Sequence, residues 1–203
     1  MSENETISGS EFRKPEHKIG KLFLDRWSPR AMSAQAVTNE ELMGLFEAAK
    51  WAPSSYNNQP WRFLYARRDT ENWARFLGLL VEFNQSWAKN ASVLVVILSR
   101  KTFEHNNEPS VTHTFDTGAA WGYLALEGAS RGLVVHGMEG FDYAKAKREL
   151  EVPDGFDVNA MAAIGKPGRK ADLPAGLQER EKPSDRKPLA QIICEGKFAF
   201  PKS

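Results

Sequence analysis

The sequence predicts an α+β or α/β sandwich in which helices cover a central sheet. Segments with helical periodicity alternate along the chain with segments typical of strands. Two of the strand segments, residues 93–98 and 158–164, are mostly apolar, which is the pattern of strands buried on both faces. The chain has 203 residues, of which 41% are hydrophobic and 26% charged, so one full domain or two small ones can bury a core.

The first strong helix signal follows Thr38. Thr38 and Glu41 stand at the spacing of a capping box, in which the Thr hydroxyl accepts from a backbone N–H and the carboxylate reaches back. Apolar residues then recur at helical spacing, so one face of this helix is expected in the core. The helix must end before Pro53, because the residue preceding a proline is pushed out of the α region.

The later elements follow from the same periodicity. Gly132 is expected to end the longest helix in the left-handed conformation. In chain order, the predicted elements are a strand at 61–66, a helix at 73–81, a strand at 93–98, a helix at 114–131, a strand at 133–136, a helix at 143–150 and a strand at 158–164.

Charge and composition exclude several classes of partner. The formal net charge is +1 and basic residues do not cluster, so we expect neither nucleic acid nor an anionic membrane as a partner. The longest apolar run, residues 93–98, is far shorter than the roughly 20 residues of a membrane helix. A single cysteine, Cys194, forms no internal disulfide and no zinc ribbon, and no metal site is expected.

The chain divides by composition into three parts. Residues 1–18 are polar, lack the features of a secretory signal and are expected to form a loose arm of a cytoplasmic protein. Residues 19–168 carry all the periodic elements, and residues 169–203 are charged and proline-bearing before a short apolar end. Such a tail buries little surface alone, so we expect it to dock on a partner, most simply a second copy of the chain.

The usual catalytic motifs are missing, which favours a cofactor that brings its own reactivity. In residues 25–30, Arg26 and Arg30 flank Ser28, a set of donors suited to a phosphate but also common on surfaces. Residues 53–60 form a loop rich in hydroxyls and amides, which Trp51 and Trp61 are expected to pin to the core. An ordinary polar connection remains the alternative for this loop.

These segments together resemble the nitroreductase family of flavin enzymes. The resemblance is carried by residues 25–30, by A-P-S-S-Y-N-N-Q-P-W at 52–61, by residues 132–142 and by S-D-R-K-P-L at 184–189. It runs from about Phe23 to the C-terminus. It implies an α+β fold with a mixed antiparallel sheet flanked by helices, in an intertwined homodimer with FMN at the interface and the tail wrapped over the partner.

The resemblance also implies residue roles. No catalytic side chain is expected, because the chemistry takes place at flavin N5. Main-chain N–H groups of Glu139 and Gly140 would face N5 and O4 and stabilise the reduced ring. The residues implied to hold FMN are Arg26, Ser28, Arg30, Arg186 and Lys187 at the phosphate, with the backbone of Trp27; Asn84, Glu139 and Gly140 at the polar edge of the ring; and Pro53, Ser54, Ser55 and Asn57 from the other subunit.

Some residues depart from the family pattern or have no assigned role. Trp87 stands where well-known members carry a lysine beside the flavin. His136 is expected near the site, either as a core histidine or at the pocket, whereas His17, His105 and His113 are expected at the surface. Cys194 is expected to pack rather than react. The aromatic residues of the longest helix, Phe115, Trp121 and Tyr123, are read either as pocket lining or as plain core.

The function implied is an FMN-dependent oxidoreductase. It would take a hydride from NADH or NADPH on flavin N5 and pass electrons, in ping-pong order, to a small acceptor such as a nitroaromatic or a quinone. Two alternatives remain at this point. One is related flavin chemistry, such as dehalogenation, enone or aldehyde reduction or breakdown of flavin. The other is a non-catalytic module that binds FMN or a partner.

Overall fold

The computed structural model describes residues 8–200, so residues 1–7 of the predicted arm and residues 201–203 of the tail lie outside the description. The predicted α+β architecture is confirmed. Its centre is a four-stranded sheet with the order β1-β2-β4-β3, and each neighbouring pair is antiparallel. No parallel pair occurs among the described strands, so the sheet is more uniform than the mixed sheet implied above. The strands are β1 (Trp61–Arg67), β2 (Val93–Arg100), β3 (Val134–Met138) and β4 (Phe156–Gly165).

Helices lie on both sides of this sheet. The predicted helix at 73–81 is too long, because the helix ends at Leu77 before Gly78, and a further helix follows at Glu82. The α-helices are α1 (Lys21–Asp25), α2 (Asn39–Lys50), α3 (Trp73–Leu77), α4 (Glu82–Ala88), α5 (His113–Ser130), α6 (Tyr143–Glu149) and α7 (Ala175–Gln178). Short 3-10 turns lie at Gly9–Glu11, Ser55–Asn57, Lys170–Asp172 and Leu189–Gln191. None of the helices in the described range is long and apolar enough to cross a membrane.

Strand β2 separates the two halves of the core. Leu94, Val96 and Leu98 face one hydrophobic cluster. Val93, Val95 and Ile97 face the other, which also contains side chains of α2 and α5. Because successive side chains of a strand point to opposite faces, the prediction that this strand is buried on both faces is confirmed.

The local helix signals are confirmed as well. The Thr38 hydroxyl accepts from the Glu41 N–H at 3.1 Å, and the Glu41 carboxylate accepts from the Thr38 N–H at 2.7 Å, which completes the capping box. Later in the chain, α5 ends at Ser130 and Gly132 has a φ of +69°. That left-handed conformation carries no steric penalty for glycine and turns the chain into β3.

One irregularity of the sheet lies at Asn159, which also lines an open cavity. The register of β2 against β4 shifts between Ile97 and Leu98, which pair with Ala160 and Val158. Asn159 is therefore the extra residue of a bulge, a feature that redirects a side chain out of the ladder. Its amide donates to the buried Ser99 hydroxyl at 2.8 Å.

The two ends of the described chain pack together. The expectation of a loose arm is wrong for its described part, because Gly9 is buried and the Ser8 hydroxyl donates to Asp25. The tail meets the arm where the Leu189 N–H donates to Glu16 at 2.9 Å. Beyond that point the tail exposes large apolar side chains, namely Ile192, Ile193 and Phe198.

Candidate functional site

An open cavity of about 630 Å³ lies between α5, β3 and the segment after α1. Arg26 and Ser28 line one part of it, and residues 137–139 and Asn159 line another. Trp121 and neighbouring small residues of α5 form an apolar wall. This volume is in the range of pockets that hold a small ligand, and the lining combines an apolar wall with a few polar groups.

Arginines from distant parts of the chain lie near Arg26: Arg13 and Arg186 line a second pocket, which shares Phe23 with this cavity. Arg26 donates to the Ser28 hydroxyl at 3.3 Å. The pKa of the Arg26 guanidinium is lowered, first by burial and then by the positive charges of Arg13 and Arg186. Arg186 donates to the Ser184 carbonyl at 3.3 Å and hydroxyl at 3.1 Å, which orders its side chain at the protein surface. Crowded guanidinium groups of this kind favour a bound anion.

Asn84 joins α4 to the turn after β3. Its amide donates to the Gly140 carbonyl at 3.0 Å, and its amide oxygen accepts from the Trp87 indole N–H at 3.3 Å. Trp87 is fully buried, so it holds the Asn84 amide in one orientation without adding a charge. The structure thus brings Asn84, Trp87 and Gly140 together beside Glu139, which lines the cavity.

His136 connects this group to the cationic segment. Its ring lies 4.6 Å from the Trp87 ring, and Nδ1 is 2.8 Å from the Pro29 carbonyl oxygen. Because a carbonyl only accepts, Nδ1 carries the proton. Burial lowers the pKa of His136 to about 4, and the charges of Arg30 and Arg26 act in the same direction. The imidazole is therefore neutral and serves as a structural link between the two parts of the site.

The loop at residues 53–60 is held at the start of α5, away from this cavity. The Ser55 N–H donates to the buried Asp116 carboxylate at 3.1 Å, and the Ser54 hydroxyl accepts from the Gln59 N–H at 3.0 Å. Tyr56, Asn57 and Gln59 have positive φ angles of 51°, 53° and 48°. Such conformations persist only where the surrounding contacts hold them.

A second loop braces the first. The Asn58 amide oxygen accepts from the Glu104 N–H at 3.0 Å, and its amide group donates to the Thr102 carbonyl at 3.3 Å. The exposed Tyr56 ring contacts Phe103 edge-on at 5.7 Å. The loop is therefore held by contacts with α5 and with residues 102–104, and it presents Tyr56 and Asn57 to solvent in the single chain.

These features agree with comparisons to known proteins. A family model described as the nitroreductase family matches residues 24–80 and 70–166. The chain belongs to the nitroreductase family. This family member is 46% identical to a solved oxidoreductase containing FMN, with a TM-score of 0.90, and the match covers 97% of this chain and 100% of that one.

Two curated relatives extend the comparison. An uncharacterized 15.4 kDa protein of Mycolicibacterium smegmatis is 32% identical over 69% of this chain and 99% of its own length. A Streptomyces coelicolor protein provisionally named NADH dehydrogenase/NAD(P)H nitroreductase is 28% identical over 80% of this chain and 89% of its own. The resemblance seen in the motifs of this nitroreductase family member is thus confirmed along most of the chain.

The structure gathers only part of the residues that the motifs indicate. Arg26, Ser28 and Glu139 line the cavity, and Asn84 and Gly140 lie beside it. The charge of Arg186 lowers the pKa of Arg26. Lys187, the residue after Arg186, is exposed. The loop residues Pro53, Ser54, Ser55 and Asn57 are absent from the described lining of this cavity.

The surroundings of three residues bear on their predicted roles. Arg30 lies with its guanidinium 3.9 Å from the buried Glu181 carboxylate, which also accepts the Arg30 N–H at 2.7 Å, so this arginine already has an anionic partner. Trp27 is buried. Trp51 is 72% exposed and donates to Glu47 at 3.0 Å, so the prediction that it pins the loop to the core is wrong for the single chain. Trp51 directly follows the last turn of α2, and its ring lies at the surface of the protein.

Two further expectations need correction. His113 is not a surface histidine, because its side chain is 14% exposed and Nδ1 lies 2.8 Å from the Ser99 hydroxyl. Cys194 is exposed rather than packed.

On α5, Phe115 is 78% exposed, whereas Trp121 lines the cavity, so the aromatic residues of this helix are not plain core. Sequence reasoning also missed Asp116 and Arg13, whose roles depend on contacts between distant segments.

Proposed function

We propose that this protein is an FMN-dependent oxidoreductase that takes electrons from NADH or NADPH and passes them to a small electrophilic acceptor, such as a nitroaromatic or a quinone. The observation that carries the proposal is the cavity itself, which has the Arg26 guanidinium and the Ser28 hydroxyl in one part and a polar turn at Glu139 in another. The 46% identity to a solved oxidoreductase containing FMN supports the same cofactor. When bound, FMN supplies the two-electron chemistry that the side chains themselves lack.

The residues present fit a phosphorylated cofactor. The pKa of Arg26 is lowered by burial and by the charges of Arg13 and Arg186, and the pKa of Arg13 is lowered by burial and by the charge of Arg186. One nitrogen of Arg13, Nη2, is buried without a hydrogen-bond partner. A phosphate would offset these charges, because charge-assisted hydrogen bonds to an anion are the strongest that arginine makes. We assign the phosphate to Arg26, Ser28 and Arg186, with Lys187 as an exposed neighbour. Arg30 instead holds the segment to Glu181.

The polar edge of the flavin is assigned to the group around Asn84. Because the Asn84 amide is already fixed by Trp87 and Gly140, its remaining hydrogen-bonding capacity is pre-oriented. The backbone N–H groups of Glu139 and Gly140 lie on the adjacent turn. Where well-known family members carry a lysine, Trp87 orients the Asn84 amide but adds no charge. Negative charge on the reduced ring would therefore be stabilised here by hydrogen bonds alone.

The remaining flavin contacts, those of the loop at 53–57, are assigned to a second copy of the chain. The loop at 53–57 is held by hydrogen bonds, exposes Asn57 and lies outside the described lining of the cavity, which suits a loop that completes the site of another subunit. Helix α5 supports the same view, since Phe115 is exposed and a side chain added at Gly118 or Gly122 would meet open space. Such a face of small and apolar residues favours close packing with a partner. The mass in solution at micromolar protein should be that of a dimer, and a monomer would contradict this assignment.

The phosphate assignment is tested by flavin retention. In Arg26→Gln or Arg186→Gln, loss of a charge-assisted hydrogen bond should weaken FMN binding about 10–100-fold, as measured by flavin release on dilution. Arg148→Gln removes an equal charge from the exposed surface of α6 and should retain FMN. Full flavin retention by both site variants would contradict the assignment. Turnover of the wild type with a nitroaromatic, a quinone and an enone then identifies the class of acceptor.

A further inference from the structure

The N-terminal arm places a basic residue, Arg13, against the backbone of Arg26, which lines the cavity. Arg13 lies upstream of the region that matches the family model, which begins at residue 24. We propose that Arg13 is a third arginine of the FMN phosphate site, so that residues 8–13 of the arm are part of cofactor binding. This inference rests on the proposed function and adds a residue that the family motifs do not indicate.

Hydrogen bonds place Arg13 between the two segments that carry the other arginines. Its Nη1 donates to the carbonyl oxygens of Leu24 and Arg26, both at 2.8 Å. Its Nε donates to the Ser184 carbonyl at 2.9 Å, and Arg186 donates to the same oxygen. Arg13 therefore fixes the backbone of Arg26 and the start of the Arg186 segment at the same time.

The charge balance around Arg13 favours an anionic ligand. The pKa of Arg13 is lowered, first by burial and then by Arg186, whereas Asp185 acts in the opposite direction. The Asp185 carboxylate accepts from the Arg186 N–H at 2.8 Å. Two carboxylates near the arm already have partners: Asp25 accepts from Lys21 at 2.6 Å, and Glu16 accepts from the Leu189 N–H at 2.9 Å. The Nη2 group of Arg13 is left buried and without a partner, at a cost that a phosphate oxygen would remove.

The arm is built to approach this segment closely. A Cβ added at Gly9 would lie 2.1 Å from the Leu24 carbonyl oxygen and 3.0 Å from that of Asp25. No other residue fits there without moving the backbone. Ser10 adds a contact, because its N–H donates to the Asp25 carboxylate at 3.4 Å. The position of Arg13 is thus set by contacts of residues 8–10 together with its own hydrogen bonds.

Competition between FMN and riboflavin tests the inference, because riboflavin lacks only the phosphate. Holoenzyme is equilibrated with increasing riboflavin, and the bound flavin is separated and identified by chromatography. Arg13→Gln should reduce the preference for FMN over riboflavin about 10–100-fold. Lys14→Gln, which removes the neighbouring exposed charge of the arm, should keep the wild-type preference.

The outcomes separate this inference from the proposed function. An unchanged preference in Arg13→Gln, even with weaker binding of both flavins, would show that Arg13 is only structural and would overturn the inference. A wild type that holds no flavin would overturn the proposed function itself. If Arg13→Gln does not fold, Arg13→Lys carries the test, because a single ammonium cannot make the backbone bonds and a phosphate contact together. It should lower the preference about 3–10-fold, and no change would again overturn the inference.

Discussion

Lowering the pH should destabilise the protein through His136. The folded state holds this residue neutral with a pKa of about 4, against 6.5 for the free side chain. The unfolded chain therefore binds more protons between these two values, so the stability is full above pH 6.5 and is lost as the pH falls towards 4. The difference corresponds to about 3 kcal/mol in total, of which about 2 kcal/mol is lost by pH 5.

The variant His136→Gln isolates this contribution. Glutamine retains an N–H donor for the Pro29 carbonyl but does not titrate. The free energy of unfolding is measured with urea at about pH 7.5 and about pH 5, with saturating FMN and equal protein concentration. The wild type should lose about 2 kcal/mol more than the variant on acidification. His105→Gln, at an exposed position, should behave as the wild type. Equal losses in the wild type and His136→Gln would refute the reasoning.

Three further substitutions test the contacts that hold the site. Glu181→Ala removes the acceptor of two backbone N–H groups, those of Arg30 and Ala31, and the carboxylate 3.9 Å from the Arg30 guanidinium. It should lower the free energy of unfolding by about 3–5 kcal/mol in urea titrations; a loss below about 1 kcal/mol would contradict this. Asp116→Ala removes the acceptor of the Ser55 N–H and should speed proteolytic cleavage within residues 54–59, and an unchanged cleavage rate would count against it. Trp87→Phe removes the hydrogen bond that orients Asn84 and should weaken FMN retention about 2–10-fold, whereas unaltered retention would show that the indole N–H has no such role.

Elements with strong local signals could be predicted from the sequence. The capping box at Thr38 and Glu41 defines the start of α2 because both hydrogen bonds lie within four residues of each other. Strand β2 was predictable because apolar side chains on both faces fit only a central strand between two layers. Helix α4 was missed because it has seven residues and no side-chain cap at Val81, so its existence depends on tertiary packing.

The candidate site was predictable only where a motif carries it. Arg26, Ser28 and Asn84 stand in recognisable segments, and the structure places them at or beside one cavity. The contacts of Arg13 with Arg26 and Ser184 span 13 and 171 residues and leave no local pattern. The exposure of Trp51 was not predictable either, since the side chain of a tryptophan at the end of a helix can point towards the core or towards solvent.

The most direct measurement is an anaerobic titration of the purified protein, saturated with FMN, by NADH and by NADPH. We expect about one FMN per chain and loss of the flavin absorption in proportion to the nucleotide added, with recovery of the colour when a nitroaromatic or a quinone is admitted. Protein that takes up no FMN would contradict the assignment of the cavity. Protein that binds FMN but stays yellow with both nucleotides would contradict the proposed enzymatic activity.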